Sequence, residues 1–377
     1  MPVDVGAAQV LAFRVAGHGL AAAGDDPWAP LRGWAVQDSP PGTAAAAVLA
    51  RTTAVEPGWL EAALERRDAV ALWNPRTATA VLAAADAAAY ATALLPRDEA
   101  GIKAIAKPAL PDRSDGFGDA VALAVAAVAD ALDGAVLSRD DLHEALRRRL
   151  PPDLLPWCKG CQSHHARRGL LVLAGLHGRL CLAGRAGRQP AFARTDQWVG
   201  WDPPAPEAAG AELMRRYLSA YGPSTPAHFA AWAGLGAAHA KGLWGAVAGE
   251  LAEVSVDGAG RAWALERDLA TLQDPPPAPG VRLLAPGDPL LLGRDRESLI
   301  ADPALRAHVW RAIGGAGVVL ADGVPAAAWR ARKQGRRLDV EVQPFATLDG
   351  AALQEAAQRL APHRGCATAQ VLGVDGP

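Results

Sequence analysis

The stretch Trp157-Cys-Lys-Gly-Cys-Gln-Ser-His-His165 places two thiols and two imidazoles within eight residues. These are the side chains that ligate zinc or, once deprotonated, act as nucleophiles. A structural zinc takes four tetrahedral nitrogen or sulfur ligands at roughly this spacing. The remaining cysteines, Cys181 and Cys366, stand alone, and no second Cys-x-x-Cys completes a set. The stretch therefore reads as a turn at a helix start, with Cys158 and Cys161 in the core and His164 and His165 facing phosphate. No metal and no other cofactor is expected.

A second chemistry-bearing set is cationic. From Arg147 to Arg194 there are ten Lys or Arg residues and one acid, Asp153, whereas residues 1–100 carry seven basic and eleven acidic residues. Trp329-Arg-Ala-Arg-Lys-Gln-Gly-Arg-Arg337 adds five positive charges in nine residues. The whole chain, with 38 basic and 40 acidic residues, has a net charge of −2, so its charge is segregated rather than uniformly basic. Such patches neutralise phosphates and release counterions, and arginine forks fit phosphate and base edges. Arg167, Arg168, Arg179, Arg185, Arg188, Arg330 and Arg332 are the candidate DNA contacts.

The elements that must carry these residues fall between proline-rich breaks at 96–116, at Trp201-Asp-Pro-Pro-Ala-Pro-Glu207 and at Asp274-Pro-Pro-Pro-Ala-Pro-Gly280. They divide the chain into segments 1–100, 116–200, 207–273 and 281–377. In the third, helical spacing over 207–220 ends at Gly222-Pro223, Ser224-Thr225-Pro226 offers a cap with proline at the first helical position, and helices follow over 228–233 and 237–247. Strands at 251–256 and 261–265 flank Asp257-Gly258, so the segment reads as a winged helix-turn-helix. The second repeats the pattern: helices over 120–132, 139–150 (capped by Ser138) and 163–176, then a wing of strands at 180–183 and 190–194. The first has helices over 9–15, 44–51 and 57–65 and a hairpin around Trp73 to Leu82. The fourth mixes strands at 317–321, 326–331 and 337–344 with a helix over 350–360. The expectation is an α+β protein of three tandem winged helix-turn-helix domains, the second the basic one, plus a C-terminal β-rich domain.

Half the residues are hydrophobic and 21% are charged, which excludes a disordered chain. Met1-Pro-Val-Asp-Val has no secretory character, and the most apolar run, 120–129, is half of what a bilayer span requires. A cytoplasmic protein acting at the nucleoid is expected, with no membrane partner.

Gly33-Trp-Ala-Val-Gln-Asp-Ser-Pro-Pro-Gly-Thr43, the Trp157–Cys161 stretch, Arg216-Tyr-Leu-Ser-Ala-Tyr-Gly-Pro-Ser-Thr-Pro226, Asp288-Pro-Leu-Leu-Leu-Gly-Arg-Asp-Arg296, Gly317-Val-Val-Leu-Ala-Asp-Gly323 and Trp329-Arg-Ala-Arg332 together resemble the winged-helix DNA glycosylases related to AlkZ, over most of the chain. The resemblance implies three winged helices embracing DNA, closed by a β-rich domain, and excision of alkylated purines, often bulky adducts of natural-product genotoxins in self-resistance. It also implies an active site at a Gln-Φ-Gln or Gln-Φ-Asp motif, Φ being apolar. Here the triplet is Ala35-Val36-Gln37, so Gln37 is the second polar member and Ala35 replaces the first. In the Arg-Gly-Thr/Ala-x-His pattern of relatives, Arg76 matches, which adds it to the DNA-binding set, and Ala80 stands where histidine would be.

N7-alkylation makes guanine a good leaving group, so the protein must hold the adduct, place a water beneath C1′ and stabilise an oxocarbenium-like transition state. Glutamine cannot act as a base, yet its amide orients water. Asp38 either accepts the water's proton, as a catalytic residue beside Gln37, or serves as a local cap before Pro40-Pro41. The expected activity is that of a monofunctional DNA N-glycosylase, a monomer without an obligate protein partner, acting on double-stranded DNA with an alkylated base, bulky N7-alkylguanine adducts in particular. The competing reading is a non-catalytic winged-helix protein that regulates transcription or sequesters adducts, supported by Ala35 and Ala80.

Overall fold

β-Hairpins carry the scaffold, each closed where the local residues permit it. The computed structural model describes residues 3–32, 35–53, 55–311 and 314–373. Gly33 and Trp34 of the glutamine-containing stretch lie outside the described residues, as do 374–377 of the last segment. Asp322 and Gly323 both have positive φ (49° and 80°), as a two-residue hairpin turn of the primed type requires.

The architecture is α+β. A six-stranded sheet runs in the order Val36–Gln37, Thr79–Ala83, Ala69–Trp73, Cys181–Ala186, Gln189–Ala193, Leu137–Ser138. Its two hairpins come from separate segments and meet through the pair Ala71↔Leu182. Val3–Val5 pairs in parallel with Leu251–Val256, whose hairpin partner is Gly260–Leu265. The N-terminal helix Ala7–Gly17 lies on Pro206–Tyr221, so the first residues of the chain pack with the third segment. The last segment forms a five-stranded sheet, Val281–Leu284, Gly317–Ala321, Val324–Gln334, Arg337–Pro344, Thr368–Leu372. Helix Gly350–His363 makes the crossover to its final, parallel strand.

Caps explain several helix starts. Ser138 Oγ accepts from the Asp141 amide, and Thr225 Oγ1 from that of His228 with Pro226 following. The largest core gathers Phe117, Leu142, Leu170, Phe192, Met214 and Phe229 from both middle segments. Among the described residues, no helix is long and apolar enough to cross a membrane.

Two local expectations are corrected. The helix expected over 163–176 starts only at Arg168. Gln162, at φ 50°, turns the chain back so that Ser163–His164 pairs with Trp157–Cys158 as a small hairpin. The break at 96–116 contains the helix Glu99–Ala106, because Asp98 caps it and the prolines flank it rather than interrupt it.

Candidate active site and nucleic-acid surface

Val36–Gln37 is an edge strand of the six-stranded sheet. Val36 enters the core formed with Leu31, Ala44 and Val81. Side chains alternate along a strand, so Ala35 and Gln37 share the opposite face. Gln37 Nε2 donates to the Ser39 carbonyl at 2.8 Å. A carbonyl only accepts, so the amide orientation is set and Oε1 is the end left to take a proton from another donor. Gly287 makes this packing possible: its φ is 84°, and a Cβ there would stand 3.0 Å from Gln37 Nε2.

Asp38 is built into the turn. Its Oδ1 accepts from the amides of Gly42 (2.8 Å) and Ala44 (3.1 Å) at the start of helix Thr43–Leu49. Burial raises its carboxyl above the ordinary aspartate value, against the lowering effect of those two amides. The Thr43 hydroxyl lies 2.7 Å from the Pro40 carbonyl and 3.1 Å from that of Pro286, which ties this turn to the loop of the last segment.

That loop continues from Pro286 through Asp288–Arg296. Arg51 grips Asp288 with a buried fork, Nη1 to Oδ2 and Nη2 to Oδ1, both at 2.8 Å. Arg14 reaches Asp295 at 2.6 Å and also holds the carbonyls of Gly222 and Pro223. The two acids of the run are therefore neutralised from within, whereas Arg294 and Arg296 make no ion pair among the described residues.

A cavity of about 20 Å³ lies beside Gln37's strand, lined by Ala35, Asn74, Arg76, Tyr90, Tyr221 and Trp232 among others. That is about the room one water needs. Arg76 makes no ion pair among the described residues. Its guanidinium is pushed below the ordinary arginine value by burial, with Arg294 adding to the effect. Gly234, in the left-handed region at φ 72°, lets it in, since a Cβ there would stand 2.6 Å from Arg76 Cγ. Burial pushes the Tyr90 phenol up to about 12, so it stays a neutral donor.

The structure thus gathers Gln37, Asp38 and Arg76 around the hairpin Ala69–Ala83, and Arg168 joins them. Its Nη1 lies 3.3 Å from the Thr77 carbonyl, and its guanidinium sits over the Trp73 ring at 5.3 Å. Arg167 donates to the Trp157 carbonyl at 2.7 Å. Arg185 and Arg188 are exposed at the hairpin tip, where Arg185 donates to the Arg188 carbonyl. Arg179 is ion-paired to Asp196, which also binds Arg194, while Glu144 takes Arg147 and Arg148. These acids lie just outside the 147–194 window, so the local surplus is smaller than its count. Arg330 and Arg332 lie on a different sheet, Arg330 donating to the Gly314 carbonyl at 2.9 Å and Arg332 exposed.

Cys158 and Cys161 are not in the core: Cys158 is half-buried, Cys161 is exposed, and His165, not His164, is the buried imidazole. Sequence reasoning gave no role to Asn74, Asp288, Arg294 or Arg296. The signal for the last three was charge flanking the short apolar run Pro289–Leu292.

The family model described as DNA glycosylase AlkZ-like matches residues 31–363. A curated protein of Streptomyces sahachiroi named interstrand DNA cross-link repair glycosylase is 30% identical over 226 residues, covering 58% of this chain and 58% of that protein. The match thus spans a little under six tenths of the relative's length. The solved structure of Streptomyces sahachiroi DNA glycosylase AlkZ superposes with a TM-score of 0.75 at 23% identity, over 98% of this chain and 100% of that one. At that identity the likeness concerns the fold.

Proposed function

Because the chain belongs to the AlkZ-like DNA glycosylase family, we propose that it hydrolyses the N-glycosidic bond of alkylated purines in duplex DNA, bulky N7-alkylguanine adducts of a natural-product genotoxin in particular. It would act as a monomer at the nucleoid, in DNA repair or self-resistance. In this reading the three hairpins at 69–83, 181–193 and 251–265 are the wings of three winged helices. Arg167, Arg168, Arg185, Arg188, Arg330 and Arg332 would meet phosphate, and Arg179 would do so only by exchanging Asp196 for it.

The observation that carries the proposal is Gln37 on the edge strand, its amide pinned by the Ser39 carbonyl, while Ala35 next to that strand lines a water-sized cavity with Arg76. An N7-alkylguanine leaves as a neutral base. The glycosidic bond breaks with positive charge developing on the sugar, and Gln37 Oε1 accepts from the water aligned under C1′. Bond formation at C1′ acidifies that water, whose proton then passes to solvent, so no strong base is needed beforehand. We assign Asp38 a positioning role, since its Oδ1 already holds two backbone amides. Arg76 supplies fixed positive charge toward the phosphate beside the lesion.

A non-catalytic adduct-binding protein is the second reading, favoured by Ala35 and Ala80 on the glutamine's own face. Single-turnover assays on duplexes carrying N7-methylguanine or a bulky N7 adduct separate the two. Release of free adducted base by the wild type supports the glycosylase, and tight binding without release of either base supports sequestration.

A further inference from the structure

In the small hairpin of the second segment, the sulfurs of Cys158 and Cys161 and a ring nitrogen of His165 all lie within 4.8 Å of one another. Cys158 ends the outgoing strand, Cys161 stands in the turn, and Gln162 at φ 50° returns the chain toward His165. The backbone amides of Gly160 and Cys161 face the Cys158 sulfur. His165 is only 8% exposed. Its Nδ1 lies 2.9 Å from the Ala166 carbonyl, which can only accept, so Nδ1 carries the hydrogen and Nε2 the lone pair. Nε2 is buried and meets no partner at hydrogen-bond geometry, the Cys158 thiol being the side chain turned toward this imidazole. His143 stacks on the same ring at 4.3 Å and 13° and fixes its plane. A buried lone pair left unmatched is costly, and buried polar atoms generally have a partner.

We propose that Cys158, Cys161 and His165 bind a zinc ion, with the fourth position open to solvent beside the exposed Cys161. Tetrahedral zinc, with Zn–S of about 2.3 Å and Zn–N of about 2.0 Å, sets these donor atoms roughly 3.5–3.8 Å apart, so each gap closes by roughly 1.3 Å at most. A zinc-bound imidazole ordinarily donates its other N–H to a carbonyl or carboxylate, as Nδ1 does here. Binding replaces the thiol protons, which leave to solvent. Spacing alone argued against a metal because no second Cys-x-x-Cys exists; the fold supplies the third ligand from His165, while His164 turns away to the Leu155 carbonyl at 2.8 Å. The ion would pin the hairpin whose Trp157 carbonyl holds Arg167, at the start of the helix Arg168–Leu176. The inference stands on this geometry and is independent of the proposed activity.

The test is cobalt(II) and zinc(II) titration of the full chain with its thiols kept reduced. One equivalent of cobalt should give thiolate-to-metal charge-transfer absorption that zinc abolishes. His164→Ala should keep the band, and Cys161→Ser and His165→Ala should weaken or lose it. Cys161 is exposed, so its serine variant remains informative even where His165→Ala fails to fold, which circular dichroism would reveal. Reduced wild type without the band, or the same band and stoichiometry in Cys161→Ser, would overturn the site.

Discussion

Gln37 stands directly across the antiparallel ladder from Ala80. Opposed residues share a face of the sheet, so the glutamine amide works beside a methyl group rather than a second polar side chain. With Ala35 also on this face, the amide of Gln37 is the polar group that the edge strand itself offers. Gln37→Ala should therefore lower single-turnover excision at least tenfold, about 1.4 kcal/mol of transition-state stabilisation. The thermal midpoint should hardly move, because the side chain is half-exposed and its bond to the Ser39 carbonyl is local. Undiminished excision would remove Gln37 from the chemistry.

Asp38 should behave as a cap. Asparagine retains the oxygen that receives the Gly42 and Ala44 amides, so Asp38→Asn should keep most of the excision rate. Asp38→Ala should cost about 1 kcal/mol of stability and loosen Gln37 with it. A collapse of kcat in Asp38→Asn, with stability intact, would restore the carboxylate to a proton-accepting role.

The Arg51–Asp288 fork joins residues 237 positions apart, with side-chain exposures of 5% and 0%. Removing one partner strands the other charge in the interior, which typically costs about 3–5 kcal/mol. Asp288→Ala should show that loss in chemical denaturation, with loosening of the loop that follows Gly287, the neighbour of Gln37. The double variant Arg51→Met, Asp288→Leu should recover much of it, and equal stability of single and double variants would contradict the account.

Local signals were readable in the sequence and long-range ones were not. Ser138, Thr225-Pro226 and Asp322-Gly323 act through neighbours a few residues away, so the caps and the turn were legible as spacing. The joining of two hairpins through Ala71 and Leu182, and the pairing of Val3 with Val254, depend on strand edges that no local pattern identifies. The same holds in the candidate site. Gln37 was legible through a resemblance, but its contact with Gly287 and the cavity around Arg76 are set by distant loops. His164 and His165 are adjacent in sequence, and only the hairpin return decides which one faces the thiols. The basic count overstates the free charge because Glu144 and Asp196, just beyond the counted window, pair with four of its arginines.

His18 gives the protein a pH dependence with a defined sign. Burial, with Arg51 adding to it, lowers its imidazole to about 4 from 6.5. The unfolded chain therefore binds the proton first as pH falls, and this contribution is complete above about 6.5 and lost on acidification toward 4. The difference amounts to about 3 kcal/mol at full extent. Between pH 7 and pH 4 the wild type should lose that much more stability than His18→Gln, which cannot charge, by chemical denaturation at each pH. Parallel curves would show that His18 titrates normally.

The hairpin tip offers the cleanest test of the nucleic-acid surface. Arg185 and Arg188 are exposed and make no ion pair among the described residues, and Arg185 donates to the Arg188 carbonyl. Arg179, nearby in sequence, is already neutralised by Asp196. Each phosphate contact contributes about 0.9 to the slope of log affinity against log salt on duplex DNA. Replacing Arg185 and Arg188 together by alanine should weaken duplex binding and flatten that slope by about 2, with stability unchanged. Arg179→Ala should flatten it far less, because part of its charge is spent on Asp196. An unaltered slope in the double variant would take this hairpin off the DNA, and an equal effect of Arg179→Ala would mean that its ion pair opens when DNA binds.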